Sequence, residues 1–233
     1  MYRERLNENL PRVRERIERA LERSGRRHTV RVVAVTKGHP VDAVRAAAAA
    51  GLQDVGENRV QELDAKRSEL EGSGIAVTWH LIGHLQRNKA RRAVQLFDRI
   101  HSIDSLRLAH ELSAEAARAG ITVRGLVQVN VSGEHSKGGF DADQAVEEIR
   151  QVAALPSIAC EGLMTMAPLT DDDAVVRATF AGARGLLERC IAEGAGLSGA
   201  ELSMGMSGDF EIAVEEGSTM LRLGTILFGE RTQ

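Results

Sequence analysis

Only two cysteines, Cys160 and Cys190, occur in the 233 residues. Two are too few for a disulfide framework, and their separation is not that of a metal-binding pair, so both read as buried or incidental thiols. Proline is equally sparse. Pro11, Pro40, Pro156 and Pro168 are scattered near expected element boundaries, and no Pro/Gly/Ser-rich linker divides the chain. One domain over residues 1–233 is expected. No apolar stretch approaches the length of a membrane span, and residues 1–27 are crowded with Arg and Glu without the apolar centre of a secretory leader. The expectation is a cytoplasmic protein with no membrane contact. Net charge is −3, and outside the N-terminal segment no basic block stands unbalanced, which argues against nucleic acid as a partner.

The residues present follow two periods. Leu6, Leu10, Val13, Ile17 and Leu21 recur at intervals of three and four, with Arg and Glu on the other face. This spacing predicts an amphipathic helix over 2–24 that packs on the body. The chain then alternates. Strand-like segments at 31–36, 53–56, 79–82, 99–103, 123–130, 159–165, 200–203 and 220–223 are separated by helical patterns at 41–50, 58–70, 86–97, 105–119, 141–154, 173–192 and 208–215. Eight such strands in about 200 residues match a single (β/α)8 TIM-type barrel with an extra N-terminal amphipathic helix. An open doubly wound sheet is the alternative. In the barrel, chemistry belongs where strands end, and polar groups cluster there: Lys37, Glu57-Asn58, Gly83-His84, Asp104, Asn130 and Met206-Ser207.

Lys37 ends the apolar run Val32-Val33-Ala34-Val35-Thr36. At the mouth of a packed sheet, partial desolvation would lower its pKa and suit the amine for a Schiff base with a carbonyl; a solvated strand-end lysine is the competing reading. Lys137, in the glycine-rich segment 133–139 expected to cover the mouth, is the rival amine. The segment Ser203-Met204-Gly205-Met206-Ser207-Gly208-Asp209 leaves the seventh strand for a helix that Ser207 would cap, and Gly224-Thr225 ends the eighth. Neighbouring loops of this kind form phosphate sites in barrels, although an ordinary capped helix has the same pattern and Asp209 would repel an anion if turned inward. Alternation in the last strand sends Arg222 into the barrel, where it needs either a ligand or an acid such as Glu57. His80 either lines a pocket or is a hydrogen-bonded core histidine. Its four-residue spacing to His84 falls on a strand and loop and does not indicate a metal.

Lys37, Gly56-Glu57-Asn58 with Gln61-Glu62, Trp79-His80-Leu81-Ile82-Gly83 with Leu85-Gln86 and Asn88-Lys89, Ser203-Met204-Gly205-Met206-Ser207, Gly217-Ser218-Thr219, Arg222-Leu223-Gly224-Thr225 and Phe228-Gly229 stand in this order. Together they resemble the pyridoxal phosphate homeostasis protein family, which is similar to the N-terminal barrel of alanine racemase. The resemblance covers roughly residues 32–231. It implies that Lys37 holds pyridoxal 5′-phosphate as an internal aldimine. It further implies that Ser207, Gly224 and Thr225 hold the phosphate, that Arg222 faces the pyridine nitrogen, and that Asn58, His80, Met164 and Ser203 line the ring. His84 and Gly38-His39 depart from the family's usual residues.

Two functions remain after this resemblance. One is a carrier that holds the cofactor as a Schiff base for intracellular homeostasis and delivers it to pyridoxal-phosphate-dependent apoenzymes. The other is a racemase or related amino-acid enzyme. An arginine at the ring nitrogen weakens the cofactor as an electron sink, and alanine racemase compensates with a tyrosine from a further domain and the partner subunit. The only tyrosine here is Tyr2, on the N-terminal helix. A protein without efficient catalysis is therefore expected, and as a monomer, since the racemase dimer contact is missing. A lysine aldolase of the same barrel class and a purely structural barrel are the remaining alternatives.

Overall fold

The computed structural model describes residues 1–134 and 138–230. After helix α1 (Tyr2–Ser24), eight parallel strands close on themselves: β1 (Arg31–Val35), β2 (Asp54–Glu57), β3 (Thr78–Leu81), β4 (Arg99–Ile103), β5 (Val123–Asn130), β7 (Ile158–Met164), β8 (Glu201–Ser203) and β9 (Met220–Leu223). Pairing runs β4-β3-β2-β1-β9-β8-β7-β5, and β4 also pairs with β5, which completes the barrel. A two-residue strand, β6 (Phe140–Asp141), adds to the outer end of β5. Helices α2 (Val41–Ala49), α3 (Val60–Leu70), α4 (Ala90–Leu96), α5 (Leu106–Ala119), α6 (Ala145–Ala153), α7 (Asp173–Ala192), α8 (Phe210–Glu215) and α9 (Thr225–Phe228) fill the connections.

Strand alternation divides the core in two. On β1, Val33 joins Leu126, Met164 and Met220 in a small cluster inside the barrel, while Ala34 belongs to the larger layer between barrel and helices. The expected elements are all present, with shifts that have physical reasons. The pattern at 141–154 begins as helix only at Ala145, because Phe140 and Asp141 pair with Val129 and Asn130. The segment 86–97 divides into a single 3-10 turn at Arg87–Lys89 and α4. Pro11 lies inside α1 rather than at a boundary, and Ala20 is buried in place of Leu21.

Helix α1 docks across the barrel's end-to-start junction. Leu6, Leu10, Val13 and Ile17 are buried, Arg5 and Asn9 donate to the Phe228 and Leu227 carbonyls, and Arg16 and Arg23 pair with Glu211 and Glu215 around α8. Its arginines therefore tie it to the body as well as to its own glutamates. Among the described residues no helix is long and apolar enough to cross a membrane.

Candidate cofactor-binding site

A cavity of about 820 Å³ opens at the C-terminal ends of the strands, within the usual range for cofactor pockets. Lys37, Asn58, Ser207, Arg222, Gly224 and Thr225 line it together, so six of the nine residues expected at the cofactor converge there. Val35, Ile82, Met166 and Met206 supply apolar wall, and Gln128, His84 and Asp104 supply rim groups that the sequence reading did not assign to the ligand.

Lys37 is half-buried, one residue beyond the fully buried Thr36. Its position is set from outside the barrel. The Thr36 hydroxyl donates to Glu57 Oε1 at 2.5 Å, and the Lys66 ammonium donates to the Thr36 carbonyl at 2.7 Å and to the same Glu57 oxygen at 2.5 Å. Glu57 and Lys66 are both buried, and Glu57 Oε2 has no hydrogen-bond partner. Burial pushes the Glu57 carboxyl above its ordinary value against the opposing pull of Lys66. Lys66 shares the buried stripe of α3 with Leu63 and Leu70, a spacing that marks it as inward-facing even in the sequence.

The loops after β8 and β9 are neighbours, as the barrel requires. The Ser207 hydroxyl accepts from the Ile226 N–H at 3.3 Å, so it joins the two loops and does not cap α8, whose first turn follows Asp209. Asp209 accepts from the Met206 N–H at 2.5 Å within its own loop. Gly205 turns the chain at φ +93°, where a Cβ would also lie 2.6 Å from the Ala213 side chain. Gly224 lets the end of β9 approach β1, since a Cβ there would stand 3.3 Å from the Val35 carbonyl.

Arg222 reaches the cavity from the barrel interior. It donates to the Ser203 carbonyl and hydroxyl, both at 2.8 Å, and to the Thr165 carbonyl at 3.0 Å. The expected alternative partner, Glu57, faces the helix layer and pairs with Lys66 instead. His80, Met164 and Ser203 do not line the cavity; all three are buried beneath it. His80 lies between Asp54 and His101, each at 2.8 Å, and His101 contacts Ser203 Oγ at 2.9 Å. His101 was not singled out by sequence, although Arg99 and His101 alternate on β4 as two polar residues on the inner face. Lys137 lies outside the described residues, while Gly138 reaches the rim and accepts from Gln128 Nε2 at 2.7 Å.

Residues 8–232 match the family model described as alanine racemase, N-terminal domain. The pyridoxal phosphate homeostasis protein of Aquifex aeolicus is 39% identical over 96% of this chain and 97% of its own. That of Pseudomonas aeruginosa is 41% identical over 96% and 95%. The chain belongs to this family. Among solved structures, PipY of Synechococcus elongatus with PLP bound superposes with a TM-score of 0.81 and 42% identity, covering 91% of this chain and all of that one. A protein of unknown role from Bifidobacterium adolescentis gives a TM-score of 0.90 at 36% identity over 97% and 96%. An alanine racemase of Clostridium difficile shares the fold at 17% identity with a TM-score of 0.76, and the chain spans 60% of its length.

Proposed function

We propose that this protein binds pyridoxal 5′-phosphate on Lys37 and serves intracellular homeostasis of the cofactor, as a cytoplasmic monomeric carrier rather than an efficient enzyme. The observation that carries the reading is the convergence of Lys37, Arg222 and the joined 205–208 and 224–225 loops on one cavity. The cofactor supplies an aldehyde, a phosphate ester and a pyridine nitrogen. The donor set suits all three. Lys37 offers an amine to the aldehyde. Ser207, Gly224 and Thr225 offer hydroxyl and backbone donors to the phosphate. Arg222 offers N–H donors to the pyridine nitrogen, and Asn58 flanks the ring. Met164, His80 and Ser203 act from beneath, Ser203 through its bond to Arg222. Delivery to apoenzymes is the use that this reading implies for the bound cofactor.

The proton donors present argue against racemisation. Tyr2 bonds His39 Nδ1 at 3.2 Å and packs edge-on against Phe228, away from the cavity lining. Burial pushes the Cys160 thiol up to about 12, beyond use as an acid near neutral pH. A second, enzymatic reading rests on His84, which lines the cavity and meets Asp104 Oδ2 at 2.7 Å. The test is to titrate the protein with pyridoxal phosphate by visible absorption, then incubate the loaded protein with L-amino acids and follow enantiomer ratios. The carrier reading predicts stoichiometric uptake and no racemisation above free cofactor. Turnover abolished by His84→Gln would establish the enzymatic reading instead.

A further inference from the structure

A line of side chains crosses the barrel from Arg222 to its N-terminal end. Arg222 Nη1 lies 2.8 Å from Ser203 Oγ, Ser203 Oγ 2.9 Å from His101 Nδ1, His101 Nε2 2.8 Å from His80 Nδ1, and His80 Nε2 2.8 Å from Asp54 Oδ1. These residues come from β9, β8, β4, β3 and β2, and the three in the middle are fully buried.

The two ends fix the direction of every bond. A guanidinium can only donate and a carboxylate can only accept. Ser203 Oγ accepts from Arg222, which leaves its proton free for His101 Nδ1. The Asp54 end sends it there: a neutral His80 donating from Nε2 to Asp54 accepts at Nδ1, so a neutral His101 donates from Nε2 and accepts at Nδ1. That ring must then carry its proton on Nε2 and donate to His80 Nδ1, which leaves the His80 proton on Nε2, facing Asp54. The reverse order would set a His80 lone pair against a carboxylate oxygen. Burial keeps both rings neutral. His101 is held well below its ordinary value by burial and then by the nearby charges of Arg222 and Arg99, and His80 is lowered by burial against the pull of Asp54. Burial opposes the Asp54 charge, but the bond from His80 with the charges of Arg31 and Arg99 outweighs it and holds the carboxyl low. Those two arginines are themselves paired with Glu201 and Glu161.

Arg222 needs such support. Among the described residues no carboxylate pairs with it, and Asp209 acts on it by charge from the loop above. A buried guanidinium without a counter-ion is stable only where acceptor dipoles converge on it, and hydrogen bonds in series polarise one another. We propose that His101 and His80 are positioning residues of the cofactor site: with Ser203 they form a one-way hydrogen-bond chain, anchored on Asp54, that substitutes for a counter-ion and holds the Arg222 guanidinium charged and fixed toward the pyridine nitrogen. The ligand side of this statement rests on the function proposed above, whereas the chain rests on geometry alone.

The test has two arms. Nitrogen NMR of the imidazoles in the protein without cofactor should find His80 and His101 both neutral near pH 7 with the proton on Nε2; a charged ring or the opposite tautomer in either would overturn the chain. In the second arm, His101→Leu leaves the Ser203 hydroxyl without its acceptor, and His101→Asn restores an acceptor at the Nδ1 position. With pyridoxal phosphate as probe, His101→Leu should bind about tenfold more weakly, the scale of one buried group left unpaired, and shift the visible band of the bound cofactor. His101→Asn should recover most of both, with thermal unfolding reporting that each variant is folded. Wild-type spectrum and affinity in His101→Leu, or equal loss in both folded variants, would refute the positioning role. If wild-type protein takes up no cofactor, the function fails while the first arm still decides the chain.

Discussion

The two ends of the barrel use the same kinds of polar residue to opposite purpose. At the N-terminal end Arg31 meets Glu201, Arg99 and Arg124 share Glu161 at 2.7 and 2.6 Å, and His80 meets Asp54. Each charge there is answered by another side chain. At the C-terminal end Lys37, Asn58, Ser207 and Thr225 turn toward a cavity, and Arg222 is supported from below by neutral groups. The residues at one end hold the barrel together, and those at the other end line its cavity. This division agrees with the general placement of stability and chemistry in this fold.

Two substitutions separate the two roles, and a third sets the scale of a surface pair. Glu161→Ala strands the mostly buried Arg99 and should cost about 3 kcal/mol in denaturant unfolding, while the folded fraction still takes up cofactor. A loss of uptake with unchanged stability would erase the distinction between the ends. Ser207→Ala should do the reverse: pyridoxal phosphate affinity falls about tenfold in a visible titration, with unfolding free energy changed by under about 1 kcal/mol. The smallest effect belongs to neither end. Burial opposes the charge of Glu215, but Arg177 and Arg23 outweigh it and hold its pKa below the ordinary value. The folded state therefore binds fewer protons than the unfolded state in that range. The contribution is complete above the ordinary carboxylate pKa of about 4.3 and is lost as pH falls through the lower folded value. Glu215→Gln should remove that acid-side slope, worth under about 1 kcal/mol for partly exposed pairs, in pH-dependent melts that follow α1.

Most of the fold was legible because short apolar-rich strand segments alternate with helical periods, as at 123–130 and 220–223, where expected and observed bounds coincide. Lys37, Arg222 and the two glycine loops were legible because each departs from its surroundings: a lysine closing an apolar run, an arginine on an inward face, glycines at a strand exit. Depth along the barrel axis was not. Alternation says that His80 faces inward, but strand tilt decides whether an inward residue lines the cavity or lies beneath it. The same limit concealed His101, and it is why Met164 and Ser203, expected beside the ring, lie beneath the cavity lining. The shift of Ser207 from helix cap to link between loops depended on the Ile226 N–H, which belongs to the short α9 that no apolar period announces.

The central claim is tested most directly by reducing cofactor-loaded protein with borohydride and mapping the modified peptide in wild type and in Lys37→Ala. The account predicts one stoichiometric pyridoxyl adduct on Lys37, no adduct at any lysine in the folded variant, and an unfolding free energy in that variant within about 0.5 kcal/mol of wild type. A stoichiometric adduct on Lys137 or another lysine, or a wild-type protein that neither absorbs in the visible nor takes up the cofactor, would contradict it.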